Sequence, residues 1–279
     1  MHYSLPLQHL VAESNIAEIT APRPQAAIDG ALYAKRGPLF FALYSFISGE
    51  TLGNSYPMSP VLVQQIARAL AALHTLKIPD ALRLQASPDS LTTAFDENLQ
   101  SDLAAIEHIS MHDAPYLQRL REVVWPRREQ IETFLAHSHE YAEKARQTPV
   151  ASVVCHGDPW GGNIILAPSG QLILLDWEAS VIAPPERDAF VYMGYIKPDF
   201  SAFDAGYRAI HKEPIHWHAD WLAYYAYRLQ LRNLTSWLHN LLHEPLNDEQ
   251  RKNDVTMIEH HCLDRLASVE RTAAELVVQ

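Results

Sequence analysis

Residues 153–188, VVCHGDPWGGNIILAPSGQLILLDWEASVIAPPERD, bring together side-chain types that could do phosphate chemistry. Asp158 is followed five residues later by Asn163, and Asp176 comes after two short apolar runs, 163–167 and 171–176, that flank Pro168-Ser169-Gly170. Run, turn and run predict a β-hairpin. Counting back from the turn pairs Ala167 with Gln171, Ile165 with Ile173 and Asn163 with Leu175, so that Asn163 and Asp176 meet at the open end. His156-Gly157-Asp158-Pro159 leads into the first strand and delivers a second carboxylate to that end. Two acids and an amide, with no cysteine among them, suit a hard cation such as Mg²⁺, which keeps several waters and binds substrate phosphates. In phosphoryl transfer the protein mainly positions groups and neutralises charge, and such a set is the equipment for it.

Each residue also has an ordinary structural reading. Asp before Pro commonly starts a turn, Asn can open a strand, and Asp after Leu-Ile-Leu-Leu can close one. Their joint spacing around one hairpin is what favours chemistry.

The stretches HGDPWGGN (156–163), LLDWE (174–178) and PPERD (184–188) resemble the catalytic segment of the aminoglycoside phosphotransferase and choline kinase-like family, which shares its fold with protein kinases. The wording APPERDAFVYMG (183–194) resembles the spectinomycin phosphotransferase branch in particular. The resemblance implies an α+β, two-lobe fold with a mostly helical large lobe that carries the catalytic hairpin. It implies ATP as phosphate donor, Asp158 as catalytic base, Asn163 and Asp176 as Mg²⁺ ligands, and His156 as a residue that orders the loop. Asp188 would hold that loop from behind, and the backbone around Phe46 and Ile47 would meet adenine. The acceptor would be a hydroxyl of a small molecule of aminoglycoside or aminocyclitol kind, as in antibiotic-resistance enzymes, with Glu178, Asp199 and Trp221 as candidate acceptor residues among the many acids and aromatics after the hairpin.

One feature departs from the family pattern. In the family a Gly-rich loop and a strand bearing an ATP-phosphate lysine precede the first helix, and the 279 residues contain no counterpart of either, which implies a truncated small lobe. Lys35 falls on another strand. Glu13 or Glu18, the acids that would pair with the absent lysine, read equally well as a solvated helix face. The alternative to an active transferase is therefore a catalytically impaired, kinase-shaped binding protein or fragment.

Composition sets bounds on this reading. Hydrophobic residues make up 48% and charged residues 20%, ordinary values for a globular protein. The net charge of −11 and the lack of a Lys/Arg run argue against a nucleic-acid partner. An acidic cleft would suit a cationic acceptor, although the excess also serves solubility. Two cysteines, Cys155 and Cys262, provide no disulfide framework, and no apolar run is long enough to span a bilayer, which points to the cytoplasm. Of 15 histidines, His239 and His243 stand four apart on an expected helix, without a HExxH glutamate or a third ligand at evident spacing.

The elements that must position the chemistry follow from periodicity and punctuation. A helix is expected from Ser4 to about Ile19, then strands over 31–35 and 39–47 broken by Arg36-Gly37-Pro38. Residues 1–49 would form the partial small lobe and 50–279 the catalytic lobe. Ser59 caps and Pro60 starts a helix to about His74. Further helices are expected over 90–109 and 114–137, the second broken at Pro126, and three closing helices over 199–210, 218–242 and 247–278.

Overall fold

The computed structural model describes residues 2–86, 89, 91, 95–193, 200–212 and 214–277. Its contacts divide the chain into two compact units along lines other than the expected lobe boundary at residue 49. One unit comprises residues 1–89 with 150–217, and the other 90–149 with 218–279.

The first unit opens with α1 (Ser4–Glu13), shorter than its apolar periodicity suggested. Ser14 turns its N–H back to Val11 O, and Asn15 takes a left-handed φ of 51°, which stops the helix. Strand β1 (Ile19–Thr20) follows, then the antiparallel pair β2 (Ala34–Arg36), which starts later than the expected run 31–35, and β3 (Leu39–Phe41). The second of these runs is shorter than 39–47, because residues 43–45 leave β3 and bond instead to residues 23–25. Gln25 N donates to Leu43 O at 2.8 Å and Ser45 N to Arg23 O at 2.9 Å. Helix α2 (Pro60–His74) has the expected bounds, with Ser59 Oγ accepting from Leu62 N at 3.3 Å. The short α3 (Asp80–Arg83) follows.

The same unit resumes after residue 150. Strand β4 (Val153–Cys155) pairs antiparallel with β7 (Val181–Ala183), and between them β5 (Ile164–Leu166) and β6 (Leu172–Leu174) form the hairpin. Its register is the one counted from the turn: Ile165 faces Ile173, Ala167 N donates to Gln171 O at 3.0 Å, and Leu175 N to Asn163 O at 2.8 Å. β1 joins β6 in parallel, Ile19 opposite Leu172, and makes a three-stranded sheet. Helix α7 (Glu186–Ala189) leads to α8 (Phe200–Ile210), which packs on α2. The two helices approach closely at Gly206, where a Cβ would stand 2.4 Å from Gln64 O. That approach is what brings Tyr207 to His74.

The second unit is helical: α4 (Asp96–Glu107), α5 (Pro115–Val124), α6 (Arg128–Gln147), α9 (Ala219–His243), α10 (Asp248–Thr256) and α11 (Leu266–Val277). The expected break at Pro126 is a 3₁₀ turn, Trp125–Arg127, between α5 and α6, as the missing N–H of proline requires. The last expected helix divides into α10 and α11 around a π turn at Met257–Cys262. α9 runs through the middle of the unit, with Phe134 of α6 packed on Tyr227 at 4.2 Å between rings, and touches α4 and α11 as well. Among the described residues no helix is long and apolar enough to cross a membrane.

Candidate active site

The site grows from the two turns that follow β4 and β6. After Cys155 the chain turns at Gly157, whose φ of 85° and a would-be Cβ only 2.0 Å from Ala179 O leave room for glycine alone. The turn aims the Asp158 side chain toward Asn163. The amide Nδ2 of buried Asn163 donates to Asp158 O at 2.9 Å and to Asp158 Oδ2 at 3.2 Å. With both hydrogens turned to Asp158, the remaining capacity of the carboxamide is its Oδ1 acceptor, a hard oxygen donor.

Asp176 follows directly on Leu175, whose N–H is held by Asn163 O, so the hairpin register delivers it to the same end. It adopts a left-handed φ of 55°, a conformation aspartate tolerates better than most residues, and its carboxylate is exposed. Asp158, Asn163 and Asp176 thus stand at the same end of the hairpin, and their oxygens are hard donors of the kind that suits a divalent cation such as Mg²⁺.

His156 sits fully buried behind this set. Its Nε2 bonds Leu175 O at 2.8 Å, and Asp158 N donates to its Nδ1 at 3.3 Å. A carbonyl can only accept, so the proton lies on Nε2 and the ring is the neutral tautomer. Burial pushes the imidazole below its ordinary pKa, against the opposing pull of the Asp188 charge, which keeps it neutral. One ring thus joins the backbone before Asp176 to that of Asp158.

Asp188, fully buried, takes three hydrogen bonds. Oδ1 accepts from Gly157 N at 2.7 Å, and Oδ2 from His156 N at 2.8 Å and His74 Nε2 at 3.0 Å. Burial would raise its carboxyl, but the His74 hydrogen bond, the charge His74 can carry and the Gly157 N–H outweigh it and hold it below the usual carboxylate range. His74 is itself fixed by Tyr207, whose hydroxyl lies 2.7 Å from Nδ1. Neither His74 nor Tyr207 stood out in the sequence, where His74 was only the end of an apolar helix face. Tyr56 is a further supporting residue: its hydroxyl accepts from Gly161 N at 3.0 Å. Burial pushes that hydroxyl up, partly countered by the Gly161 N–H and reinforced by the Asp158 charge.

A cleft of about 920 Å³ opens beside Asp176, between the hairpin on one side and α1 and residues 42–47 on the other. Phe46 and Ile47 line it, Phe46 at 92% exposure, together with Tyr44, Asp176 and Glu178. Burial, then the carboxylates of Glu178 and Asp176, pushes the Tyr44 hydroxyl above its ordinary pKa. Glu13 and Glu18 turn elsewhere, to Arg23 at 2.9 Å and Arg68 at 4.0 Å, and Lys35 lies over the Phe40 ring. Trp221 is buried in the helical unit, its indole N–H donated to Thr148 O at 2.9 Å, and Asp199 lies outside the described residues.

A small sheet region carrying this hairpin, with a larger helical part, is the protein-kinase-like arrangement. The chain belongs to the phosphotransferase enzyme family, whose sequence profile matches residues 5–227. In fold it is similar to a spectinomycin phosphotransferase solved with ADP and spectinomycin, at a TM-score of 0.81 and 18% identity over 99% of this chain and 83% of that one. It is also similar to an aminoglycoside phosphotransferase from Alicyclobacillus acidocaldarius (TM-score 0.59, 15% identity, 99% and 83% covered) and to the Plasmodium vivax ethanolamine kinase (0.57, 16%, 96% and 73%). None of the curated proteins compared with the chain by sequence matches it. The family membership expected from 156–188 therefore holds, and with it the general chemistry of small-molecule phosphotransfer, on a fold shared with an aminoglycoside phosphotransferase and an ethanolamine kinase.

Proposed function

We propose that this chain transfers the γ-phosphate of ATP to a hydroxyl of a small, cationic, aminoglycoside- or aminocyclitol-like molecule, in the cytoplasm. The observation that carries the proposal is the Asn163 amide bonded to Asp158 beside an exposed Asp176, with the loop before Asp158 clamped by Asp188. Two free, buried thiols accord with a reducing compartment.

Asp158 is the base. Its Oδ2 is engaged by Asn163, which leaves Oδ1 to accept the acceptor's hydroxyl proton. Asn163 Oδ1 and the Asp176 carboxylate are the groups that would hold Mg²⁺. Bound Mg²⁺-ATP supplies the phosphoryl group and the positive charge that stabilises its oxygens. The backbone at Phe46 and Ile47 meets the adenine edge, and the exposed Glu178 attracts an acceptor ammonium. His156 and Asp188 act through position, keeping Asp158 in reach of the hydroxyl.

Thermal unfolding with a non-hydrolysable ATP analogue tests the nucleotide half. Ligand at about a hundred times its dissociation constant adds roughly 2.7 kcal/mol, and the expected midpoint rise requires Mg²⁺ and is lost in Asp176→Asn. Turnover on a panel of spectinomycin, aminoglycosides, choline and sugar alcohols tests the acceptor half. Transfer that persists unchanged in Asp158→Asn overturns the mechanism.

One observation favours a second reading, a kinase-shaped binding protein without turnover. Leu39, Leu43 and Phe46 stand 60%, 70% and 92% exposed along β3 and the cleft wall, and Lys35, the only lysine before Lys77, is spent on Phe40. A Mg²⁺-dependent midpoint shift with no transfer to any acceptor is the outcome that selects it.

A further inference from the structure

His239 and His243 have a partner that their spacing does not reveal. α4 carries Asp102 to the C-terminal end of α9, where Asp102 Oδ1 accepts from His243 Nε2 at 2.8 Å across 141 residues of sequence. One ligand atom each from Asp102, His239 and His243 lies within 4.8 Å of the others. The histidines are about half exposed, while the Asp102 side chain is 3% exposed and its Oδ2 has no hydrogen-bond partner among the described residues.

We propose that this cluster binds one divalent transition-metal ion of the zinc class, clamping α4 to the end of α9. Three observations carry the assignment together. The imidazoles are one helical turn apart on the same face, their rings 4.7 Å from centroid to centroid, the arrangement in which two neutral ring nitrogens reach one ion. A carboxylate buried with one oxygen unsatisfied is costly, and a cation relieves that cost. His243 lies in the last turn of the 25-residue α9 and His239 one turn before it, near the end where the dipole places partial negative charge, and Glu244 adds a carboxylate 4.0 Å from His239 Nε2.

The ligand set decides the metal class. Two nitrogens and one carboxylate oxygen match zinc sites that keep a fourth position open for water, whereas Mg²⁺ and Ca²⁺ prefer oxygen throughout. Bonds of about 2.0–2.2 Å put tetrahedral donors about 3.3 Å apart. The donors lie within 4.8 Å of one another, so binding requires the two half-exposed rings to rotate toward Asp102. Binding requires neutral imidazoles, so affinity falls as the solution is acidified.

The experiment uses the full chain, stripped with a chelator and titrated with ZnCl₂ by calorimetry, with the visible absorption of Co²⁺ as a second readout. Wild type is expected to take one ion per chain at micromolar or better affinity, with a midpoint that rises with free zinc. Among the described residues no hydrogen bond joins His239 to Asp102 or His243, so His239→Ala should keep the chelated midpoint and lose at least tenfold in zinc affinity. Asp102→Asn, nearly isosteric, should lose a similar factor and weaken the Co²⁺ bands. Failure of wild type to bind zinc at 100 µM (about one hundred times a micromolar constant) overturns the proposal. So does wild-type affinity in His239→Ala, which would place the ion elsewhere among the histidines. Full affinity in a folded Asp102→Asn overturns the carboxylate as a ligand, and if that variant does not fold, His239→Ala decides.

Discussion

Replacing Asp188 by asparagine should damage both stability and turnover, because one buried carboxylate holds the two peptide groups just before Asp158. Its Oδ1 receives Gly157 N, and its Oδ2 receives His156 N and His74 Nε2. An asparagine amide must point its NH₂ at one of these places. The milder orientation loses the Gly157 bond, and the harsher one loses both bonds at Oδ2. A hydrogen bond to a buried charge contributes about 1.5–3 kcal/mol, and the surviving ones weaken on losing the charge. Burial of the ionised carboxyl offsets part of this, since the neutral amide is easier to desolvate. The net loss expected is about 3 kcal/mol, within the usual range for breaking a buried charged network. For a unit on the order of 150 residues that is a midpoint drop of about 6–12 °C. With Asp158 displaced by a fraction of an ångström or more, turnover at saturating substrate should fall about a hundredfold.

The dependence on pH gives this prediction its sharpest check. The folded-state pKa of Asp188 is depressed, so its contribution is present above the unfolded pKa and is lost as pH falls through the folded value. Asparagine does not titrate. The midpoint gap between wild type and Asp188→Asn should therefore be widest near neutral pH and shrink below the usual carboxylate range. A loss under about 1 kcal/mol, or a gap that stays constant into acid, refutes an ionised, three-donor Asp188.

Four further outcomes are expected. Gly157→Ala should fold poorly or drop the midpoint by at least as much as Asp188→Asn, because its Cβ has no room beside Ala179 O; a neutral result in thermal melts would contradict the turn. His74→Ala and Tyr207→Phe should each destabilise, with a coupling of about 1 kcal/mol in a double-mutant cycle by denaturant unfolding, and strict additivity would deny the Tyr207–His74–Asp188 chain. Tyr56→Phe leaves Gly161 N–H without its acceptor and should cost about 1 kcal/mol while lowering turnover, both measurable on one preparation. His156 has a depressed folded pKa, so its contribution is whole above its ordinary 6.5 and is lost as pH falls below it; His156→Gln should flatten the acid limb of the stability curve there, and an unchanged limb would count against a buried neutral ring.

What residues 153–188 determined by themselves is everything governed by short range. The turn at Pro168-Ser169-Gly170 sets the hairpin register, the register sets Asn163 against Leu175, and Asp176 follows one residue on. Ser59-Pro60 starts α2 and Pro126 divides α5 from α6 for equally local reasons, a cap hydrogen bond and a missing N–H. Apolar periodicity was a poorer guide to ends: it carried the first helix past Glu13, since the left-handed Asn15 that stops it leaves no trace in hydrophobic spacing.

The tertiary structure alone decided which distant groups meet. His74 and Asp188 are 114 residues apart, Tyr56 and Gly161 105, and Asp102 and His243 141; no local pattern records these pairs. β1 joining β6 in parallel is of the same kind, a contact whose loop-closure entropy is met by packing elsewhere in the fold. Periodicity tells which face of a helix is buried, but not which helix lies across from it. Hence the acid–amide–acid set could be read from one continuous segment, whereas its buried support and the carboxylate facing His239 and His243 required the folded chain.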